Sequence, residues 1–91
     1  SLSAANDEAL NVKVASLFFL HDTGEYAASS KELSGGAVNY LEAKPDGIYV
    51  FDAHGLIISA AACDDIDNPN PDNGITAKLK WNETNQRWER K

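Results

Sequence analysis

One helical segment constrains this chain more than anything else in it. Residues 3–22 keep helical spacing, begin amphipathic and end on four bulky side chains in a row, Leu17, Phe18, Phe19 and Leu20. Ser3 is placed to cap the first turn, and Asp7 and Glu8 follow where carboxylates favour the helix dipole. On such a helix Ala5, Ala9, Val12 and Phe19 lie on one side, and Leu10, Val14 and Leu17 on another. No charge falls between Lys13 and Asp22, and Gly24 supplies the stop. A surface helix normally shows one apolar stripe. This one becomes apolar around its girth, which leaves two readings. Either it has two apolar partners, or Phe18 and Leu20 meet the 34–46 loop or stay partly exposed, as single apolar residues commonly do.

Beyond Gly24 the signals change. Ser29 and Glu32 have the Ser-x-x-Glu spacing of a capping box and predict one short helical turn, closed by Gly35 and Gly36. The following loop includes a brief strand at 38–41. Residues 47–52, "GIYVFD", are apolar on both faces, as a central strand is. "DAHG" has the Asp-first, Gly-fourth preference of a type I turn. It leads into an antiparallel partner at 56–63, with Phe51 opposite Leu56. Residues 75–81 alternate, with Ile75, Ala77, Leu79 and Trp81 inward and Thr76, Lys78 and Lys80 outward. A turn at 82–85 then sets Trp81 opposite Gln86 and Leu79 opposite Trp88, so Trp81 and Trp88 both belong to the core. That register also sets Lys78 opposite Glu89, a favourable pair, and Lys80 opposite Arg87, an unfavourable one. The expectation is an α+β fold of one domain, 1–91. A helix at 3–22 and a connecting loop at 23–46 precede a sheet at 47–91, and the helix packs on this four-stranded antiparallel meander.

Composition narrows the function. Ninety-one residues suit a single domain with a modest core. A net charge of −6 argues against nucleic acid and anionic membrane surfaces, which are held by clustered Lys and Arg. Cys63 is the only cysteine, so no disulfide forms within the chain. No stretch approaches the roughly 20 apolar residues of a membrane span. The opening "SLSAANDEAL" lacks a signal-peptide pattern and the chain holds no methionine. It therefore reads as an excised fragment or a mature form whose upstream residues are missing.

The densest chemistry lies in "CDDIDNPNPDNG", residues 63–74, where seven Asp and Asn side chains crowd together. Calcium takes six to eight oxygen ligands on flexible loops, and Asp65, Asp67 and Asp72 are the candidate ligands. The run resembles the start of an EF-hand loop but has Thr76 where that loop has its Glu. The competing reading is a solvated connection, since Asn, Asp, Pro and Gly are the turn formers. His21 and His54 stand in no nucleophile arrangement, and with Cys63 they are too few for the usual zinc site. No enzyme is expected. His54 reads as an exposed turn residue, Cys63 as a small buried hydrophobe, and the two tryptophans as core rather than as stacking platforms.

The order of elements, and the passage "AANDEALNVKVASLFFLHDTGEYAASSKEL", resemble the globular part of type IV pilins and type II secretion pseudopilins. In that family an alanine-rich helix ends in aromatics, followed by a polar Gly turn, a tyrosine, and small or hydroxyl residues before a Leu. The chain departs from it at Ala27, where many relatives carry Pro, and in lacking a second cysteine for a C-terminal disulfide. The resemblance implies a non-catalytic subunit, assembling with its own copies and other pilin or pseudopilin subunits. A membrane-spanning helix upstream of Ser1 would anchor it. The setting implied is an extracellular filament or the periplasmic face of a bacterial inner membrane. Leu10, Val14, Leu17, Phe18, Phe19 and Leu20 would make the helix–sheet and intersubunit contacts. Since some pseudopilins bind calcium between late strands, it also favours calcium in the 64–74 loop. The alternative is a standalone α+β binding or inhibitor module that uses Tyr26, Tyr40 and the loops.

Overall fold

The computed structural model describes residues 1–62 and 78–91. The architecture is α+β. Helix α1 (Leu2–Thr23) is followed by a single 3-10 turn (Ser30–Leu33), strands β1 (Gly47–Phe51) and β2 (Ile57–Ala62), then β3 (Leu79–Asn82) and β4 (Arg87–Arg90). The cap of α1 is Ser1, whose Oγ accepts from the Ala4 N–H at 3.2 Å. Ser3 lies inside the first turn, because Leu2 packs on the core and carries the helix back past it. Gly24 ends the helix in the left-handed conformation, φ 78°, donating its N–H to the Leu20 carbonyl.

The faces of α1 sort by size. Ala5, Ala9, Val12, Ala15 and Ser16 are buried, while Leu10, Val14, Leu17 and Phe18 point to solvent. Small residues let the helix backbone approach the strands closely, so the bulky ones are left outside. Phe19 closes the inner stripe, with its ring edge-on to Tyr40 at 5.6 Å.

The strands form two separate antiparallel hairpins, β1–β2 and β3–β4, where a single four-stranded meander was expected. The reason lies at the strand edges, which are covered by side chains and, along β1, by the backbone of residues 28–29. On β2, Ile57 donates its N–H to Gln86 Oε1 at 2.8 Å, and its carbonyl accepts from Gln86 Nε2 at 2.8 Å and Trp81 Nε1 at 2.9 Å. A carboxamide thus takes the place of a neighbouring strand at that residue. Asn6 does the same from α1, accepting from the Trp88 N–H at 2.7 Å and donating to the Trp88 carbonyl at 3.2 Å. The outer edge of β1 is met by Ser30, whose Oγ accepts from the Tyr49 N–H, and by the Ala28 carbonyl, which accepts from Phe51. Backbone groups leaving water need such partners, and a side chain supplies them as well as a strand does.

Both registers differ from expectation. In the first hairpin a bulge puts Phe51 opposite Ile57, not Leu56. Gly55, φ 80°, follows the type I turn in the left-handed conformation that a three-residue loop needs. In the second hairpin the pairs are Leu79 with Arg90, Lys80 with Glu89, Trp81 with Trp88 and Asn82 with Arg87. Four residues, 83–86, form the loop, with Gln86 at φ 53°. The slip is two residues, so every side chain keeps its face. It replaces the unfavourable Lys80–Arg87 pairing with a Lys80–Glu89 one. No strand forms at 38–41. There Asn39 Oδ1 accepts from the Leu41 N–H at 3.0 Å, a local bond that competes with any ladder. The capping box is also displaced by a residue: Ser29 Oγ accepts from Lys31, and Glu32 Oε1 from Ala28.

Trp88, Tyr49, Leu33, Ile57 and Val12 are the largest fully enclosed side chains. Tyr49, Trp81 and Trp88 meet pairwise edge-to-face, with centroids 5.5–6.1 Å apart. Trp88 is buried, and Trp81 is half-buried against the same cluster.

Candidate assembly surface and the tether beneath it

Of the six helix residues assigned to packing, Leu10, Val14, Leu17 and Phe18 lie exposed, Leu17 and Phe18 at 61%. Phe19 and Leu20 are half-buried, and Phe19 joins the core. Beside the exposed stripe runs a groove of about 450 Å³ between α1 and the 40–45 loop. Val14, Phe18 and Pro45 contribute its apolar wall, while Asp7, Glu42 and Lys44 stand on its rim. Tyr40 closes one end. Its hydroxyl donates to Asp22 at 2.9 Å, and this bond to a carboxylate holds the phenol pKa above its ordinary value.

Glu8 also lines this groove, and its role was not read from the sequence beyond a favourable place near the helix start. Its Oε2 accepts from the Tyr49 hydroxyl at 2.6 Å and the Gly47 N–H at 3.3 Å, and its Oε1 from the Asp46 N–H. The same Tyr49 hydroxyl accepts from the Trp88 indole N–H at 3.0 Å. One carboxylate therefore fastens the start of β1 to α1 and, through Tyr49, reaches β4. Burial, reinforced by the bond to Glu8, pushes the Tyr49 pKa far above the ordinary tyrosine value. Among the described residues no buried side-chain polar atom lacks a partner. Lys13 adds a further tie from α1, with Nζ donating to the Gln86 carbonyl at 3.0 Å. A sequence signal for Asn6 and Lys13 did exist. Both lie within a helical turn of Ala9 and Val12, on the side of α1 that meets the strands.

The other candidates are placed as follows. His21 and His54 are exposed. Tyr26 is exposed as well, its ring resting beside Gly55. Asp65, Asp67, Asp72 and Cys63 lie outside the described residues. Among the described residues no group of His, Cys, Asp and Glu is arranged to hold a metal ion, and no helix is long and apolar enough to cross a membrane. Comparison of the chain with protein-family models, curated proteins and solved structures finds no significant match.

Proposed function

We propose that the chain is the headpiece of a filament subunit of the type IV pilin and pseudopilin class, working by packing rather than by catalysis. The observation that carries this reading is the inverted helix: alanines inside, and Leu10, Val14, Leu17 and Phe18 outside. Full burial of such a side chain contributes about 1.5–3 kcal/mol. All four are already partly covered, so a neighbour adds roughly half of that at each. The sum falls near the lower end of the roughly 4–15 kcal/mol that free association costs. Isolated headpieces therefore associate weakly. Holding many copies side by side on membrane-anchored helices raises their effective concentration and makes the same contacts sufficient.

On this reading an upstream apolar segment continues α1, and the filament stands outside the cell or at the periplasmic face of a bacterial inner membrane. Asp65, Asp67 and Asp72 are the residues that would hold calcium on this reading. The test is assembly of the full-length protein carrying Phe18→Glu. Phe18 is exposed, so the fold should survive, checked by its melting curve, while filaments should be lost. Normal filaments from a folded Phe18→Glu protein would reject the proposal.

A further inference from the structure

Charge is segregated in this chain. Residues 78–91 carry five of the eight basic residues and two of the fourteen acidic ones, a balance of +3. Residues 1–77 carry the remaining three and twelve, a balance of −9, and together these make the −6 of the whole. The five bases are Lys78, Lys80, Arg87, Arg90 and Lys91, all exposed. Lys78, Lys80 and Arg87 lie on the face of the β3–β4 hairpin opposite to its buried residues, Leu79 and Trp88. The groove beside the exposed helix stripe has the opposite character. Asp7, Glu8 and Glu42 line it against a single Lys44, over the apolar wall of Val14 and Phe18.

We propose that the occupant of this groove is a second copy of the chain, presenting the basic outer face of its β3–β4 hairpin. This rests on the filament reading and specifies which surface covers the helix. Helix-to-helix stacking at equal height would set Asp7 and Glu8 against their own copies. A groove-to-hairpin contact sets them against lysine and arginine. Because the two surfaces differ, each subunit offers one to the copy ahead and one to the copy behind. Such contacts propagate head to tail rather than closing as a two-fold dimer.

Salt is an ambiguous probe, since it screens the overall repulsion between two −6 chains as well as the local attraction. Exchange of charge is not ambiguous. One variant carries Asp7→Lys and Glu42→Lys, and the other Lys78→Glu and Arg87→Glu, which leaves the Lys80–Glu89 pair intact. Each is checked for a native melting curve. Association of the 91-residue chain is followed by amide chemical shifts up to about 1 mM, a range that detects weak contacts. In the unaltered chain, residues 10–18 and residues 78–91 should shift together with concentration. Either variant alone should lose both sets of shifts, and an equimolar mixture of the two should restore them. Shifts along the helix without shifts in 78–91, or a mixture that restores nothing, would overturn this assignment and leave the filament reading standing. Shifts at neither surface of the unaltered chain would also overturn this assignment, while the filament reading answers to the Phe18→Glu assembly test.

Discussion

Tyr49→Phe removes a single oxygen from the junction of α1, β1 and β4. That hydroxyl donates to Glu8 and accepts from Trp88, inside a residue with no exposed surface. Without it the Trp88 indole N–H is left buried and unpaired, at about 1–3 kcal/mol, and the bond to a charged group, about 1.5–3 kcal/mol, is lost. The two share one oxygen and are not additive, so the expected loss is about 2–4 kcal/mol. A domain of this length is stable by roughly 5–14 kcal/mol, so the variant stays folded but melts some 10–25 °C lower. Urea unfolding followed by tryptophan fluorescence reads the change directly, because both indoles sit in the affected cluster. The pH dependence supplies a second, independent reading. The folded-state pKa of Tyr49 is raised above the ordinary tyrosine value of about 10, so its contribution is complete below pH 10 and is lost as pH rises toward the folded value. Above pH 10 the parent should lose up to about 1.4 kcal/mol per pH unit through this group, and Tyr49→Phe should lack that part of the decline. A Tyr49→Phe protein within about 0.5 kcal/mol of the parent would refute the tether, since surface changes fall in that range.

Three further perturbations test the fold. Gly55→Ala puts a Cβ at φ 80°, 2.5 Å from Cε1 of Tyr26. It should destabilise by about 1–2 kcal/mol from backbone strain alone, with a further loss from the ring contact that a Tyr26→Ala background removes in equilibrium unfolding. Ala9→Leu pushes a large side chain into the close helix–strand contact and should cost about 1–3 kcal/mol. Leu17→Ala, at an exposed site, should stay within about 0.5 kcal/mol in the same melts.

Periodicity and punctuation carried most of the readable information. The helix and its stop at Gly24, the separation of Ala5, Ala9 and Val12 from Leu10, Val14 and Leu17 on different sides, and the position of β1 follow from spacing, whereas which side is buried does not. Faces survived even where registers did not, because the second hairpin slipped by an even number of residues. The slip itself was not legible. A loop of 83–86 depends on Gln86 tolerating a left-handed backbone, and Gln86 does so while its side chain holds Ile57, 29 residues away. Glu8 and Ser30 were opaque for the same reason. A side chain that pairs with distant backbone leaves no repeat in the sequence, and each of these reads locally as an ordinary helix or turn residue. The four-stranded sheet was an inference from four period-two segments, which show that strands exist without showing which strands adjoin.

Joining two hairpins through the Gln86 carboxamide also loosens the tie between their registers. In a continuous ladder, lengthening one turn shifts the pairing of every strand beyond it. Here the bonds at Ile57 come from the Gln86 carboxamide and the Trp81 indole, so a length change in the 53–55 turn is absorbed by the two strands it connects. An insertion at the 83–85 tip has a wider effect, because it moves Gln86 and with it the hold on Ile57 and on Lys13 of α1.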